Sequence, residues 1–208
     1  MNGLLEIFEK IYQKGITITI TNYVYQEVVD RPSHIPRFEL GALKIKGLIE
    51  KGIIKFATDL GLAQQEIESE TQRWLRMANS SIKSDNHFIE IVSPAEMSCI
   101  ALSHILNKKG IDNIIGIDER TTRVLFEKPQ NLKDLMSSKL HRNISLNTAQ
   151  LGDTRQFRFI RSSELVYVAL KKGLIKINDK HALEALLYVT KFKGCSISWE
   201  EIEQLKKL

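Results

Sequence analysis

No apolar run of about 18 residues occurs in this 208-residue chain, which excludes a hydrophobic helix long enough to cross a bilayer. Cysteine is nearly missing. Cys99 and Cys195 stand far apart in apolar contexts, too few to staple a small secreted domain. They read as buried thiols in a reducing compartment, with a bridge between them left open. The opening MNGLLEIFEK carries acids early and has no cleavage pattern, so secretion is not expected and a cytoplasmic location is. Gly-rich phosphate loops, G-x-S-x-G elbows, internal repeats and low-complexity tracts are also missing. The five histidines (His34, His87, His104, His141 and His181) lack the spacing of metal ligands.

What is present is ordinary in bulk and uneven in charge. Apolar content of 43% and charged content of 26% fit a soluble protein with one sizeable core. The net charge is +5, yet residues 120–161 alone hold nine Lys/Arg against three acids, so the rest of the chain is slightly negative. Such a segment suits a polyanion-binding flap, or else a solvated basic loop.

Periodicity predicts a helix over 4–14, with Leu4, Ile7, Phe8 and Ile11 on one face and Gly15 ending it. ITITI (16–20) alternates β-branched residues and reads as a strand. A helix capped by Thr21 or Asn22 follows, carrying Glu27 and ending at Asp30-Arg31-Pro32. Further helices are expected over 39–51, 60–78, 95–108, 120–127, 163–172 and 180–192, and from Ser198 to the carboxyl end. FIEIV (88–92) and NIIGI (113–117) read as two more strands. Strands alternating with helical stretches predict an α/β fold with a parallel sheet flanked by helices. Trp74 and Trp199 are expected to pack on amphipathic helices, and LEALLYV (183–189) is expected to be core rather than a dimer face.

Glu27, Glu96 and Asp118 each follow one of the three predicted strands. Ligands of parallel sheets bind beyond the strands' carboxyl ends, and clustered carboxylates there suit Mg²⁺ or Mn²⁺. Each also has a plainer reading. Ser93-Pro94-Ala95-Glu96 is a capping box, Glu27 could be an exposed helix glutamate, and Asp118 could cap the helix that follows.

Taken together, TNYVYQEV with Glu27, SPAEMSCIALSHIL with Glu96 and GIDERTTRVLFE with Asp118 resemble the second, third and fourth acidic motifs of the PIN domain family, metal-dependent ribonucleases that include the toxins of toxin–antitoxin pairs. The resemblance covers most of residues 1–208. It implies a three-layer PIN-like fold in one domain, with a basic insertion at about 128–160 and a carboxyl-terminal helical part at about 161–208. It also implies Glu27, Glu96 and Asp118 as catalytic carboxylates, with Glu119 joining them as metal ligands for Mg²⁺ or Mn²⁺. Asn22, Arg120, Arg123, Arg142 and Arg161 would contact RNA. An antitoxin-like or other protein partner, or a second copy of the chain, would complete its company, and no membrane.

The departure from the pattern bears on activity. The family opens with a strand ending in a metal-binding aspartate, whereas Met1-Asn2-Gly3 here leads directly into the helix that normally follows it. Three expectations stand side by side: a start further upstream, a degenerate member whose gap another segment or chain fills, or a different acid, such as Glu119, Glu164 or Glu184, completing the site. As given, the chain would be a weak or inactive endoribonuclease. The alternatives are a non-catalytic nucleic-acid-binding or scaffold protein and a DNA-binding regulator, the last resting on LKIKGLIEKGIIKF (43–56).

Overall fold

The structure, a computed structural model, describes residues 4–85 and 87–208. The opening Met1-Asn2-Gly3 and Asn86 lie outside the described residues. The architecture is mixed α/β, dominated by helices. Chain order runs α1 (Glu6–Gln13), β1 (Ile18–Ile20), α2 (Asn22–Tyr25), α3 (Arg31–Ser33), α4 (Pro36–Glu50), β2 (Ile54–Phe56) and α5 (Gln64–Asn79). It continues through β3 (Ile82–Ser84), β4 (His87–Phe88), α6 (Pro94–Lys108), β5 (Ile115–Gly116) and α7 (Arg120–Glu127). Then come α8 (Leu132–Leu140), β6 (Ile144–Leu146), β7 (Phe159–Ile160), α9 (Ser162–Lys171), α10 (Ala182–Phe192) and α11 (Trp199–Lys207).

The strands form three small sheets rather than one. β1 pairs with β2 and β5 with β7, both in parallel, while β3 lies between β4 and β6 in an antiparallel ladder. The three predicted strands are therefore not hydrogen-bonded neighbours. FIEIV is the clearest departure: His87 and Phe88 join the antiparallel ladder, and the chain then leaves it. The Asn79 side chain explains this, since its Oδ1 accepts from the Ile91 and Val92 amides and its Nδ2 donates to the Val92 carbonyl. A side chain has taken the bonds a strand partner would make.

Proline punctuation also acts differently from expectation. The helix begun by α2 does not stop before Pro32 but widens into a π-turn over Gln26–Asp30, and the Arg31 amide reaches the Gln26 carbonyl. Pro32 then sits in the first turn of α3, where a missing amide costs little. In the 43–56 segment, α4 ends at Glu50 and β2 pairs with β1, which is a helix followed by a strand rather than a helix-turn-helix.

The largest core centres on Trp74, 2% exposed, with Phe126 and Phe157 meeting it edge-on at 5.7 and 5.4 Å between ring centroids. Met97, Ile100 and Ala101 of α6 close it from one side. The basic segment closes it from another, supplying Leu132, Met136, Ile144, Leu151 and Phe157. Those residues give the segment an apolar underside and anchor it to the rest of the fold. α1 packs through Ile7 onto Val166, Ala169 and Leu186 of α9 and α10, so the two ends of the chain share a second core. Leu187, Cys195, Ile197 and Ile202 join α10 to α11. Both cysteines are free, and no described helix is long and apolar enough to cross a membrane.

Candidate acidic site

Three carboxylates from three elements share one electrostatic neighbourhood, though not the trio that the strand ends suggest. Glu96 lies in the first turn of α6, where the capping box forms in full: the Ser93 amide donates to Glu96 Oε2 at 2.8 Å and the Glu96 amide to Ser93 Oγ at 3.3 Å. Thr122 draws in the next chain segment. Its hydroxyl donates to Glu96 Oε2 at 3.1 Å, while its amide donates to Glu119 Oε2 at 2.6 Å. One buried threonine therefore ties two acids of like charge to the starts of two helices. Glu119, not Asp118, is the cap of α7.

Burial pushes the Glu96 carboxyl above the ordinary glutamate range, and the charges of Glu119 and Glu27 push it further. The Ser93 and Thr122 hydrogen bonds oppose that rise. Glu27 reaches this neighbourhood from the π-turn after β1. Its side chain is exposed rather than set in an apolar face, on the opposite side of the turn from Val29, which is buried. Cys99, one turn beyond Glu96, feels the same field. Burial first, then Glu96 and Glu27, push its thiol up to about 12. A further hydroxyl link fixes the frame: Thr21, the cap of α2, meets Ser98 of α6 at 2.6 Å in a buried hydrogen bond.

Asp118 points elsewhere. Its two oxygens accept from the Ser162 amide at 2.8 Å and the Ser162 hydroxyl at 2.5 Å, so it caps α9 across the β5–β7 pair. Neighbouring acids thus serve different helices, Asp118 the start of α9 and Glu119 the start of α7. Glu164 is engaged by Arg161, and Glu184 by Lys206 and the His181 ring. Neither joins the cluster.

The oxygen donors have the chemistry of a hard-cation site. Their spacing does not, since no group of three or more His, Cys, Asp and Glu among the described residues could hold a metal ion. The cause lies in the hydrogen bonds above, which turn Asp118 toward Ser162 and hold one oxygen each of Glu96 and Glu119 on helix caps. No catalytic step through a metal follows from this arrangement.

The cations expected to meet RNA, and the rest of the basic segment, fall into three groups. Arg161 is structural: its guanidinium, 11% exposed, donates to Glu164 and to Glu201, joining the starts of α9 and α11. Arg123 is nearly as buried, lies 3.8 Å from Glu127, and leaves its Nε without a partner. Arg142, Arg155 and Arg158 pair with Asp85, Asp153 and Asp112 at the surface. Arg120, Lys128, Lys133 and Lys139 are exposed and make no ion pair among the described residues. Asn22, the first residue of α2, is also exposed.

Sequence reasoning missed Thr122 and Ser162, the two residues that decide where the acids point. The adjacent Thr121-Thr122 and Ser162-Ser163 pairs, each just past an acid or a strand, were the available signal. Comparison with protein-family profiles, curated proteins and solved structures gave no match.

Proposed function

We propose that the chain is a PIN-like nucleic-acid-binding protein. In this reading Glu27 and Glu96 stand for two of the acids of the Mg²⁺- or Mn²⁺-dependent endoribonucleases, Glu119 lies beside them where Asp118 was expected, and no cation cage closes among the described residues, so RNA cleavage is weak or absent. The observation that carries the reading is the grouping of Glu27, Glu96 and Glu119, brought from a turn after a strand and from two helix starts so that the other two raise Glu96's proton affinity. Glu96 and Glu119 are partly buried and Glu27 is exposed beside them, and mutual repulsion and desolvation both oppose gathering like charges in this way.

The non-catalytic form of this reading is favoured by Asp118, both of whose oxygens are held by Ser162. RNA would be held through phosphates by Arg120, Lys128, Lys133 and Lys139. Four such contacts on a single strand imply a salt slope of about −3 in log–log form, shallower than the full basic count would give.

The test pairs retention with cleavage. Labelled single-stranded RNA is titrated with the chain at rising salt, then incubated with Mn²⁺ and with chelator. The expected result is salt-sensitive retention with turnover near background. Glu27→Gln, an exposed change that leaves the fold intact, should abolish any residual Mn²⁺-dependent cleavage. RNA neither retained nor cut at low salt would end this reading.

A further inference from the structure

The outward face of the antiparallel sheet carries a cleft of about 350 Å³, lined by none of Glu27, Glu96 and Glu119. β3 alternates strictly: Ile82 and Ser84 are buried beneath the sheet, and Lys83 between them faces solvent. The registers set Lys83 opposite Phe88 on β4 and opposite Ser145 on β6, so the three form one row across the sheet. Phe88 is 58% exposed, a large apolar ring left in water at the mouth of the cleft. The Lys83 ammonium sits 4.5 Å from its ring centroid.

Amides line the other end. Gln150 donates both side-chain hydrogens, to the Met77 carbonyl and to Ser80 Oγ, which fixes its amide plane and leaves Oε1 as an acceptor. Asn147 uses Oδ1 to hold the Ala149 amide, which leaves Nδ2 as a donor. Neither remaining group has a partner among the described residues. The lining contains one cation and no carboxylate.

We infer that this row is a nucleotide subsite, in which a base stacks on Phe88, the Asn147 and Gln150 amides meet its edge, and Lys83 meets its phosphate. An exposed aromatic ring beside a cation is how single strands are held without sequence preference. An amide donor and an amide acceptor match the mixed edge that every base presents. A volume at the small end of ligand sites suits one nucleoside rather than a folded partner. The inference deepens the RNA reading and rests on it for the polymer, whereas a mononucleotide reports on the cleft alone.

The experiment has two arms on the full chain. In the first, ¹⁵N-labelled protein is titrated with adenosine 5′-monophosphate, uridine 5′-monophosphate and inorganic phosphate. The nucleotides should shift the amides of Lys83, Phe88, Ser145 and Asn147, and phosphate alone should shift only Lys83. In the second arm, fluorescence anisotropy follows a short single-stranded RNA with the wild type, Phe88→Ala, Phe88→Trp and Lys83→Ala. One lost stacking contact should weaken binding about 5- to 150-fold in Phe88→Ala, while Phe88→Trp retains it. Lys83→Ala should make the salt slope shallower by about 0.7, one phosphate on a single strand. RNA retained equally by wild type and Phe88→Ala, with no nucleotide-induced shifts in the row, would overturn the subsite and leave the RNA reading standing. Shifts with nucleotide but no RNA retention would support the subsite and overturn the RNA reading. Identical shifts with phosphate alone would reduce it to an anion contact and overturn it.

Discussion

Phe157→Ala tests whether the basic segment belongs to the main core. Phe157 is 6% exposed and meets Trp74 and Phe126 edge-on, each at 5.4 Å. Burying a phenylalanine removes roughly 150–250 Å² from water, which at about 25 cal/mol per Å² sets an upper figure near 4–6 kcal/mol. Measured Phe→Ala losses in cores run about 3–5 kcal/mol, so a loss of about 4 kcal/mol is expected. In a chain of this size that lowers the melting midpoint by about 8–16 °C. Urea unfolding followed by tryptophan fluorescence reads it directly, because Trp74 is the ring that Phe157 touches. Trp199, on α11, makes its ring contacts with Tyr188 and Phe192 instead. A single transition shifted by this amount supports an integral segment. A loss below about 1 kcal/mol, or a minor early transition with the main one unmoved, would refute the packing argument.

Three further outcomes follow from the geometry. Glu96 has its proton affinity raised in the folded state, so its contribution to stability is complete below the ordinary glutamate range and fades as pH climbs through the raised folded value. Glu96→Gln should therefore gain on the wild type between pH 4 and pH 7 in paired urea titrations, and a constant or shrinking difference would contradict the burial argument. Arg161→Ala should cost about 2 kcal/mol, discounted because Glu164 and Glu201 are partly solvated, with α9 and α11 losing amide protection together. Protection lost in α9 alone would show that the guanidinium does not couple them. Cys99, its thiol pushed up to about 12, should react with iodoacetamide at pH 8 on the order of a thousand-fold more slowly than a free cysteine. Rapid labelling of native Cys195→Ser protein would exclude that environment.

Helices were legible wherever an apolar stripe met an explicit stop. Gly15, Gly110, Gly173 and Gly194 follow α1, α6, α9 and α10, all with positive φ. The capping boxes at Ser93 and Ser198 were legible for the same reason, being local in sequence. Strand partnership was not legible. Nothing in FIEIV announces that Asn79, on the preceding helix, will claim its amides. The site was half legible. That Glu27 and Glu96 approach one another could be anticipated from the strand-to-helix junctions, and their mutual field is present. The splitting of Asp118 from Glu119 depends on Ser162, more than forty residues onward. Trp74 packs as its stripe implies, but Trp199 is 51% exposed: it opens α11, where Tyr188, Phe192 and Lys191 meet its ring.

The two parallel ladders join Ile18 to Ile54 and Ile115 to Phe159, with a long intervening stretch in each case. Helices close over neighbouring residues, but these ladders must first bring distant ones together, so loop entropy delays them. Assembly should accordingly begin in the helices and close the ladders afterwards. Asp118 meets Ser162 across β5–β7, so the orientation of the acids is settled only when residues far apart in the chain have come together.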